Sequence, residues 1–208
     1  MYLRWLDLLP PVVSMWPKPQ WNGLCIADAC AHGDECGIGG FVQFSPTQVS
    51  WFSLRIQSDE FRALKIPMHD DLQKDISSLE TLAQIVLVYI FIHNLPGCRV
   101  PIRMSTLSDN TSAESVSNKL FSTQMPLALF LERLSVLISS STIEVDVSHI
   151  AGKSNDLADA LSRWDQQGQP PYDFQPCDRF PISLDQIWSA SPKASLHPPS
   201  AWIPWSIP

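Results

Sequence analysis

The stretch from Ser148 to Trp164, SHIAGKSNDLADALSRW, constrains the fold more than any other part of the sequence. It reads as the end of a strand, a turn at Gly152 and a short helix that carries Asp156 and Asp159 near its start. Two carboxylates at the start of a helix indicate either a stabilised helix end or a cation that faces them. The stretch therefore predicts a strand–turn–helix unit with at least one acid available to a partner.

The two aspartates of this helix have different expected roles. Asp156 lies in the first turn, where an acid favours the helix dipole, and Asn155 or Ser154 can cap the same end. At about 100° per residue, Asp159 points nearly opposite the apolar side of the helix. That side is formed by Leu157, Ala158 and Leu161. We therefore expect Asp159, and not Asp156, to face a functional site.

Composition narrows the class of protein. A chain of 208 residues with 45% hydrophobic residues is long and apolar enough for one sizeable domain. Its net charge of -7 is opposite to that of most free-standing nucleic-acid-binding proteins, so composition alone speaks against that class. Five cysteines without a CxxC pair argue against both a disulfide framework and a zinc ribbon.

No stretch of the sequence is a good candidate for membrane insertion. The longest apolar run covers residues 85–92, whereas a membrane span needs roughly 18 or more residues. The N-terminal segment contains Asp7 and a proline pair within its apolar residues, which makes it a poor signal peptide. We therefore expect a soluble intracellular protein of the cytoplasm or nucleus, without a membrane partner.

Prolines mark the expected domain boundaries. Half of the 18 prolines follow Asp165, so residues 166–208 are expected to form a Pro/Trp/Ser-rich tail that is extended or disordered. Residues 1–20 carry four prolines and scattered tryptophans, which is typical of a connector. The folded domain is therefore expected to cover residues 21–165.

The hydrophobic pattern of residues 21–165 predicts an α/β domain. The expected strands cover residues 24–27, 37–44, 49–54, 100–107 and 143–148. The expected helices begin at residues 76, 111, 127 and 156, although a strand over residues 85–92 is an alternative for the first of them. The first three strands have short connections and should form an antiparallel meander. A charged segment at residues 58–74 is expected to be a loop.

Three glycines of the second predicted strand, Gly37, Gly39 and Gly40, carry a separate expectation. Glycine inside a strand marks either a β-bulge or a place where another backbone approaches closely. Both explanations fit the sequence, and the approaching backbone could be that of a bound nucleic acid.

Four acids are distinguished by their positions. Asp28 follows the first strand, Asp109 follows the fourth, Glu80 lies near the start of the long apolar helix, and Asp159 lies off the core of the last helix. Each alone is more often a solvated helix cap or strand end. Together at one sheet edge they would repel one another unless divalent cations neutralised them, and oxygen ligands select Mg²⁺ or Mn²⁺ over zinc.

Four motifs give the chain a resemblance to a known family. They are ADAC with GIGG within residues 27–40, ISSLE at 76–80, LSDN at 107–110 and HIAGKSNDLADALSRW at 149–164. In this order they resemble the ribonuclease H domain that follows the polymerase in retroelement reverse transcriptases, with DIRS-type retrotransposons and their pararetroviral relatives as the nearest type. The resemblance covers residues 21–164. It implies a ribonuclease H-like fold: a five-stranded mixed sheet, made of the meander and two parallel strands, flanked by helices.

The resemblance also implies a chemistry. It makes Asp28, Glu80, Asp109 and Asp159 ligands of two Mg²⁺ ions, with Mn²⁺ as an alternative, and places His149 near the scissile phosphate. Enzymes of this family hydrolyse the RNA strand of an RNA/DNA hybrid, which makes the hybrid the expected partner. The sequence has no YxDD-like polymerase stretch, so it resembles a reverse-transcriptase fragment without the polymerase, and a polymerase domain in trans is a second candidate partner.

Two other functions fit parts of the sequence. One is a catalytically inactive ribonuclease H-fold remnant that serves as a nucleic-acid or protein binding module. The other is a different metal nuclease of the same fold, such as a resolvase or integrase, against which the long last motif speaks.

Basic residues are sparse around the expected cleft, so phosphate contacts should be weak. They are Lys119, Arg133, Lys153 and Arg163.

Overall fold

One mixed β-sheet organises the computed structural model, which describes residues 19–94, 102–141 and 143–189. Its strands are β1 (Gln20–Trp21), β2 (Leu24–His32), β3 (Glu35–Ser45), β4 (Gln48–Gln57), β5 (Ile102–Ser108) and β6 (Ile143–His149). The long strands lie in the order β6-β5-β2-β3-β4, and the short β1 pairs with β5.

The sheet combines two kinds of pairing. Strands β2, β3 and β4 form the antiparallel meander, with a two-residue turn at Gly33, whose φ of 59° lies in the left-handed region that glycine adopts at little cost. Strand β5 runs parallel to both β2 and β6. Parallel neighbours need long crossover connections, and here helices supply them.

Helices cover the sheet as the α/β pattern predicts. They are α1 (Ser58–Ala63), α2 (Ile76–Asn94), α3 (Thr111–Lys119), α4 (Leu127–Ser141), α5 (Asp156–Arg163) and α6 (Leu184–Ser189). The predicted fold class, a mixed sheet of a three-strand meander and two parallel strands flanked by helices, is confirmed. The two-residue β1 is the only addition to the predicted strands within the described part of the chain.

Helix α2 is the centre of the hydrophobic core. Residues 85–92 are part of this helix and do not form the alternative strand. Among the described residues, the segment Leu72–Asn94 is long and apolar enough by composition to cross a membrane. However, 72% of its most apolar window is buried inside the protein. Burial against the sheet and α4 accounts for its apolar residues on every side.

Two local predictions differ from the structure. Strand β2 does not end at Ala27 but continues to His32, so Asp28 lies in mid-strand opposite Gly39. The chain turns only at Gly33, where a positive φ is available. Residues 58–74 are not a plain loop, because they contain α1 and a 3-10 turn that bury Phe61 and Leu72 in the core.

Two of the three strand glycines, Gly37 and Gly39, are explained by the packing of α5. The β2–β3 and β3–β4 registers are continuous through Gly37 and Gly39, so these glycines do not form a bulge. A Cβ atom at either position would overlap the backbone of α5 at Leu161 or Ser162. A backbone does approach these glycines closely, as expected, but it is the backbone of α5 and not that of a nucleic acid. Both glycines are buried beneath α5, so a nucleic acid does not reach them.

The chain after Asp165 packs on the domain as far as residue 189, whereas the sequence predicted an extended or disordered tail. Residue 180 donates its amide hydrogen to the carbonyl of Trp51 on the edge strand β4, at 2.7 Å. Arg179 lies over the rings of Trp51 and Trp164. Helix α6 then buries Leu184 and Ile187 in the main core. The apolar residues spaced among the prolines explain this packing. Residues 1–18, most of the expected connector, and 190–208 lie outside the described part, as does Val100 at the start of the predicted fourth strand.

Candidate active site

Three carboxylates from three separate elements meet at one point of the sheet. Asp28 comes from β2, Glu80 from α2, and Asp109 from the residue that follows β5. One oxygen of each lies within 4.8 Å of an oxygen of the others. Asp28 and Glu80 are buried, with 4% and 3% of their surface exposed, while Asp109 is half-buried. The arrangement is an acidic pocket with Asp109 on its more open side.

Local structure explains how Asp109 comes to face the other two acids. The adjacent residue Asn110 caps α3, because its side-chain oxygen accepts from the amides of Ser112 and Ala113. The cap of α3 is therefore Asn110, which leaves the side chain of Asp109 free of that role. The loop after β6 passes beside it, and a Cβ atom at Gly152 would lie 3.4 Å from Asp109 Oδ2. A Cβ atom at this position would thus touch the carboxylate at van der Waals distance.

Burial and mutual repulsion make the carboxyl groups of Glu80 and Asp28 harder to ionise than usual. Desolvation is the main cause that raises the pKa of Glu80 to about 9, and the charges of Asp28 and Asp109 raise it further. Desolvation also raises the pKa of Asp28 to about 6. The hydrogen bond from Ser162 opposes that rise, and the charges of Asp109 and Asp159 add to it. Without a cation, Glu80 is therefore mostly protonated at neutral pH, whereas Asp28 becomes protonated only below about pH 6.

Both oxygens of Asp28 are held by side chains of the α5 segment. Asn155 Nδ2 donates to Oδ1 at 3.0 Å, and Ser162 Oγ donates to Oδ2 at 2.7 Å. Asn155 occupies the N-cap position of α5, but its side chain makes no capping hydrogen bond. The capping role predicted for Asn155 is therefore replaced by a contact with Asp28. Asp156 is exposed in the first turn of α5.

Asp159, the fourth predicted ligand, is not one of the three acids that converge. Its Oδ1 accepts a hydrogen bond from Arg163 Nε at 2.6 Å, one helical turn away. It is still close enough to raise the pKa of Asp28. Helical periodicity correctly placed Asp159 away from the packed side of α5, on which Ala158 and Leu161 are buried. Leu157, which was also assigned to that side, is 38% exposed and does not belong to it.

His149 lies on the strand beside the one that leads to Asp109. It is the last residue of β6 and is exposed, opposite Ser108, the residue before Asp109. The outer edge of β6 is fixed two residues earlier, where Asn118 exchanges two hydrogen bonds with the backbone of Val147, at 2.7 and 2.8 Å. This contact holds the end of the strand that carries His149.

The donor set suits a hard divalent cation. The three converging groups are carboxylates, and no Cys or His belongs to this cluster of described residues. A positive charge between them would offset the repulsion that raises the pKa of Glu80. Asp28, Glu80 and Asp109 are thus the residues of this chain that fit such an ion.

Sequence reasoning gave no role to two residues that hold the site together, Ser162 and Arg55. Ser162 was part of a motif without a role, and Arg55 was not singled out at all. Arg55 donates to the carbonyl oxygens of Arg163 and Trp164 and so satisfies the C-terminal end of α5. The spacing of Asn155 and Ser162, seven residues or about two helical turns, was the available signal that both lie on one face.

Comparison with protein-family models and with curated proteins gives no match. Among solved structures, the chain is similar to ribonuclease H1 from the halophilic archaeon Halobacterium salinarum, with 14% identity, a TM-score of 0.47, and coverage of 67% of this chain and 93% of that one. It is also similar to LC11-RNase H1 in complex with an RNA/DNA hybrid, with 12% identity, a TM-score of 0.45, and coverage of 67% and 93%. A third is the prototype foamy virus protease-reverse transcriptase, with 15% identity, a TM-score of 0.42, and coverage of 74% of this chain and 22% of that one. Likenesses at this level leave activity to be argued from the side chains of this chain.

Proposed function

We propose that this chain is a divalent-metal-dependent nuclease that hydrolyses the RNA strand of RNA/DNA hybrids. The observation that carries the proposal is the convergence of Asp28, Glu80 and Asp109 within 4.8 Å, two of them buried. A protein gains nothing in stability from three such carboxylates, so a role in binding cations is the better explanation. The choice of an RNA/DNA hybrid rests on the order and length of the four sequence motifs.

The ions are proposed to be two Mg²⁺, with Mn²⁺ as a substitute. Asp28, Glu80 and Asp109 would hold the first, and Asp159 would join them at the second after leaving Arg163. When bound, a pair of such cations supplies Lewis acidity to both the attacking and the leaving oxygen of a phosphodiester. The residues of the chain provide a buried and oriented set of oxygen donors, which restricts where the phosphate can lie.

The residues in and around the pocket differ in exposure and have different proposed roles. Glu80 lies at the buried end of the pocket, while the half-buried Asp109 is the more exposed of the three acids. His149, exposed at the end of β6, is proposed to take up or give the proton exchanged with the reacting oxygens, a role in which histidine is the most common residue. Recognition of RNA would need contacts to 2′-hydroxyl groups across the minor groove.

The proposed biological context is a reverse-transcriptase fragment of a retroelement of the DIRS or pararetroviral type. Two arginines beside the pocket are already engaged: Arg55 binds backbone carbonyls of α5, and Arg163 pairs with Asp159 until Asp159 is drawn to the second ion. Affinity for the phosphate backbone from these residues should therefore be low. A polymerase domain in trans that holds the hybrid would compensate for it.

The test is hydrolysis of an end-labelled RNA/DNA hybrid in Mg²⁺, with Asp109→Asn as the variant. We expect the wild-type chain to cut the RNA strand only. We expect Asp109→Asn to cut at least about a hundredfold more slowly, because it removes a negative oxygen donor where the phosphate is bound. Gel separation of the labelled products measures the rate.

Asp156→Asn is the matched control for this test. It makes the same chemical change on an exposed aspartate of α5 that does not belong to the converging group. We expect it to retain the wild-type rate. Equal rates for wild type and Asp109→Asn would reject the proposal, and no cutting by wild type, at any concentration of hybrid, would favour the inactive binding module.

A further inference from the structure

We propose that Ser162 is a positioning residue for metal binding: its hydroxyl fixes the carboxylate of Asp28 in one orientation beside Glu80 and Asp109, and so raises the affinity of the pocket for a divalent cation. The inference rests on the proposed function, since it assumes that these three acids hold the cation. It assigns to the last turn of α5 a part in metal binding that is separate from that of Asp159.

The contact is buried and short. Ser162 is fully buried, with 0% of its surface exposed, and its Oγ lies 2.7 Å from Asp28 Oδ2. A hydrogen bond from a neutral hydroxyl to a carboxylate at this length is among the stronger side-chain bonds in proteins. Each carboxylate oxygen has two lone pairs, so a bond from Ser162 leaves Oδ2 able to accept a cation as well.

Asn155 alone would not fix the carboxylate. Its Nδ2 bonds to Oδ1, which is one point of attachment, and rotation about the Cβ–Cγ bond of Asp28 would remain possible. Ser162 supplies the second attachment on the other oxygen. Two bonds to two different oxygens define the plane of the carboxylate. Partners of ligands that act in this way commonly change metal affinity by about 10-fold to 100-fold.

The fold maintains this contact through the strand glycines. Gly37 and Gly39 lie under Leu161 and Ser162, where any side chain would overlap the backbone of α5. Their absence of side chains lets α5 lie directly on β3, next to the strand that carries Asp28. Arg55, which binds the carbonyl of Trp164, holds the same end of the helix from β4. The position of Ser162 is thus determined by several elements, which is what a positioning residue requires.

The hydroxyl of Ser162 has a second acceptor within reach, the carbonyl oxygen of Asp159 at 2.9 Å. A hydroxyl has one proton and can serve one acceptor fully at a time. The negative carboxylate is the stronger acceptor of the two. When Asp28 is charged and binds a cation, we therefore expect the proton to point to Asp28. When Asp28 is not charged, the hydroxyl can donate to the carbonyl oxygen of Asp159 instead.

The experiment is titration of the metal-free chain with Mn²⁺, followed by electron paramagnetic resonance of the free ion and by calorimetry. We expect Ser162→Ala to weaken Mn²⁺ binding by about tenfold, with an unchanged melting temperature in the absence of metal to within a few degrees. In an Asp28→Asn background, we expect Ser162→Ala to have no further effect, because its influence passes through Asp28.

Ser117→Ala is the matched control. Ser117 is buried in α3 with 4% exposure, its hydroxyl has no hydrogen-bond partner in the described part of the chain, and it is not one of the site residues. We expect it to bind Mn²⁺ as wild type does. Wild-type affinity in Ser162→Ala, equal weakening in both serine variants, or full additivity with Asp28→Asn would each overturn the inference. No binding of Mn²⁺ by wild type would instead reject the proposed function on which it rests.

Discussion

Replacing Glu80 by glutamine is expected to stabilise the metal-free protein and at the same time to abolish its affinity for divalent cations. Burial and the neighbouring acids raise the pKa of Glu80 from 4.5 to about 9, so ionising it in the folded protein is costly. A neutral amide of the same shape avoids that cost. At pH 8 to 9, we expect the free energy of unfolding in EDTA to rise by on the order of 5 kcal/mol.

The pH dependence has a definite sign. Because the pKa of Glu80 is higher in the folded than in the unfolded chain, the protonated group stabilises the fold below pH 4.5, and this contribution is lost as the pH rises to about 9. Asp28 acts in the same direction over a lower window, up to about 6. Metal-free wild type should therefore be more stable at pH 5 than at pH 8. Divalent cations should reverse this trend, since they bind the ionised carboxylates.

Urea unfolding in EDTA between pH 5 and 8.5 measures this effect, with Glu132→Gln as the matched control. Glu132 is exposed on α4, so the same chemical change there should leave the pH profile of wild type intact. We expect Mn²⁺ to stabilise wild type and Glu132→Gln but not Glu80→Gln. Parallel pH profiles for wild type and Glu80→Gln would show that the pocket is not electrostatically strained, and would contradict the prediction.

Removal of the chain after Asp165 is expected to destabilise the domain severely. The truncation takes Leu184 and Ile187 out of the main core and uncovers Trp51, which is fully buried in the intact chain. Burial of each aliphatic side chain contributes ~1.5–3 kcal/mol. The total loss should be on the order of 5 kcal/mol, comparable with the whole stability of many domains.

A chain that ends at Ser189 is the reference for this comparison. It retains every contact described here and lacks only residues 190–208, which the shorter chain also lacks. We expect the chain ending at 165 to melt well below it, or to expose apolar surface that binds a hydrophobic dye. The same melting temperature for both would contradict this expectation and support the predicted domain boundary at residue 165. Differential scanning calorimetry makes the comparison directly.

Much of the fold was predictable because its signals are local. Apolar runs with short connections predicted the meander, alternating apolar residues predicted β6, and the long apolar segment after Ile76 predicted α2. Where the prediction differed, a local rule was outweighed by packing at a distance. The extension of β2 beyond Asp28 depends on its pairing with β3, and the packing of residues 166–189 depends on core positions on α2, α4 and β4.

The sequence by itself determined the order of the five long strands and of helices α2 to α5, and it singled out the four acids. It could do so because hydrophobic periodicity and residue type act within a few residues of one another. Only the tertiary structure decided that Asp28, Glu80 and Asp109 meet, that Asp159 pairs with Arg163, and that Ser162 reaches Asp28. These contacts join residues up to 134 positions apart. Their geometry depends on how closely α5 lies on the strand glycines, and this is a property of packing rather than of any segment.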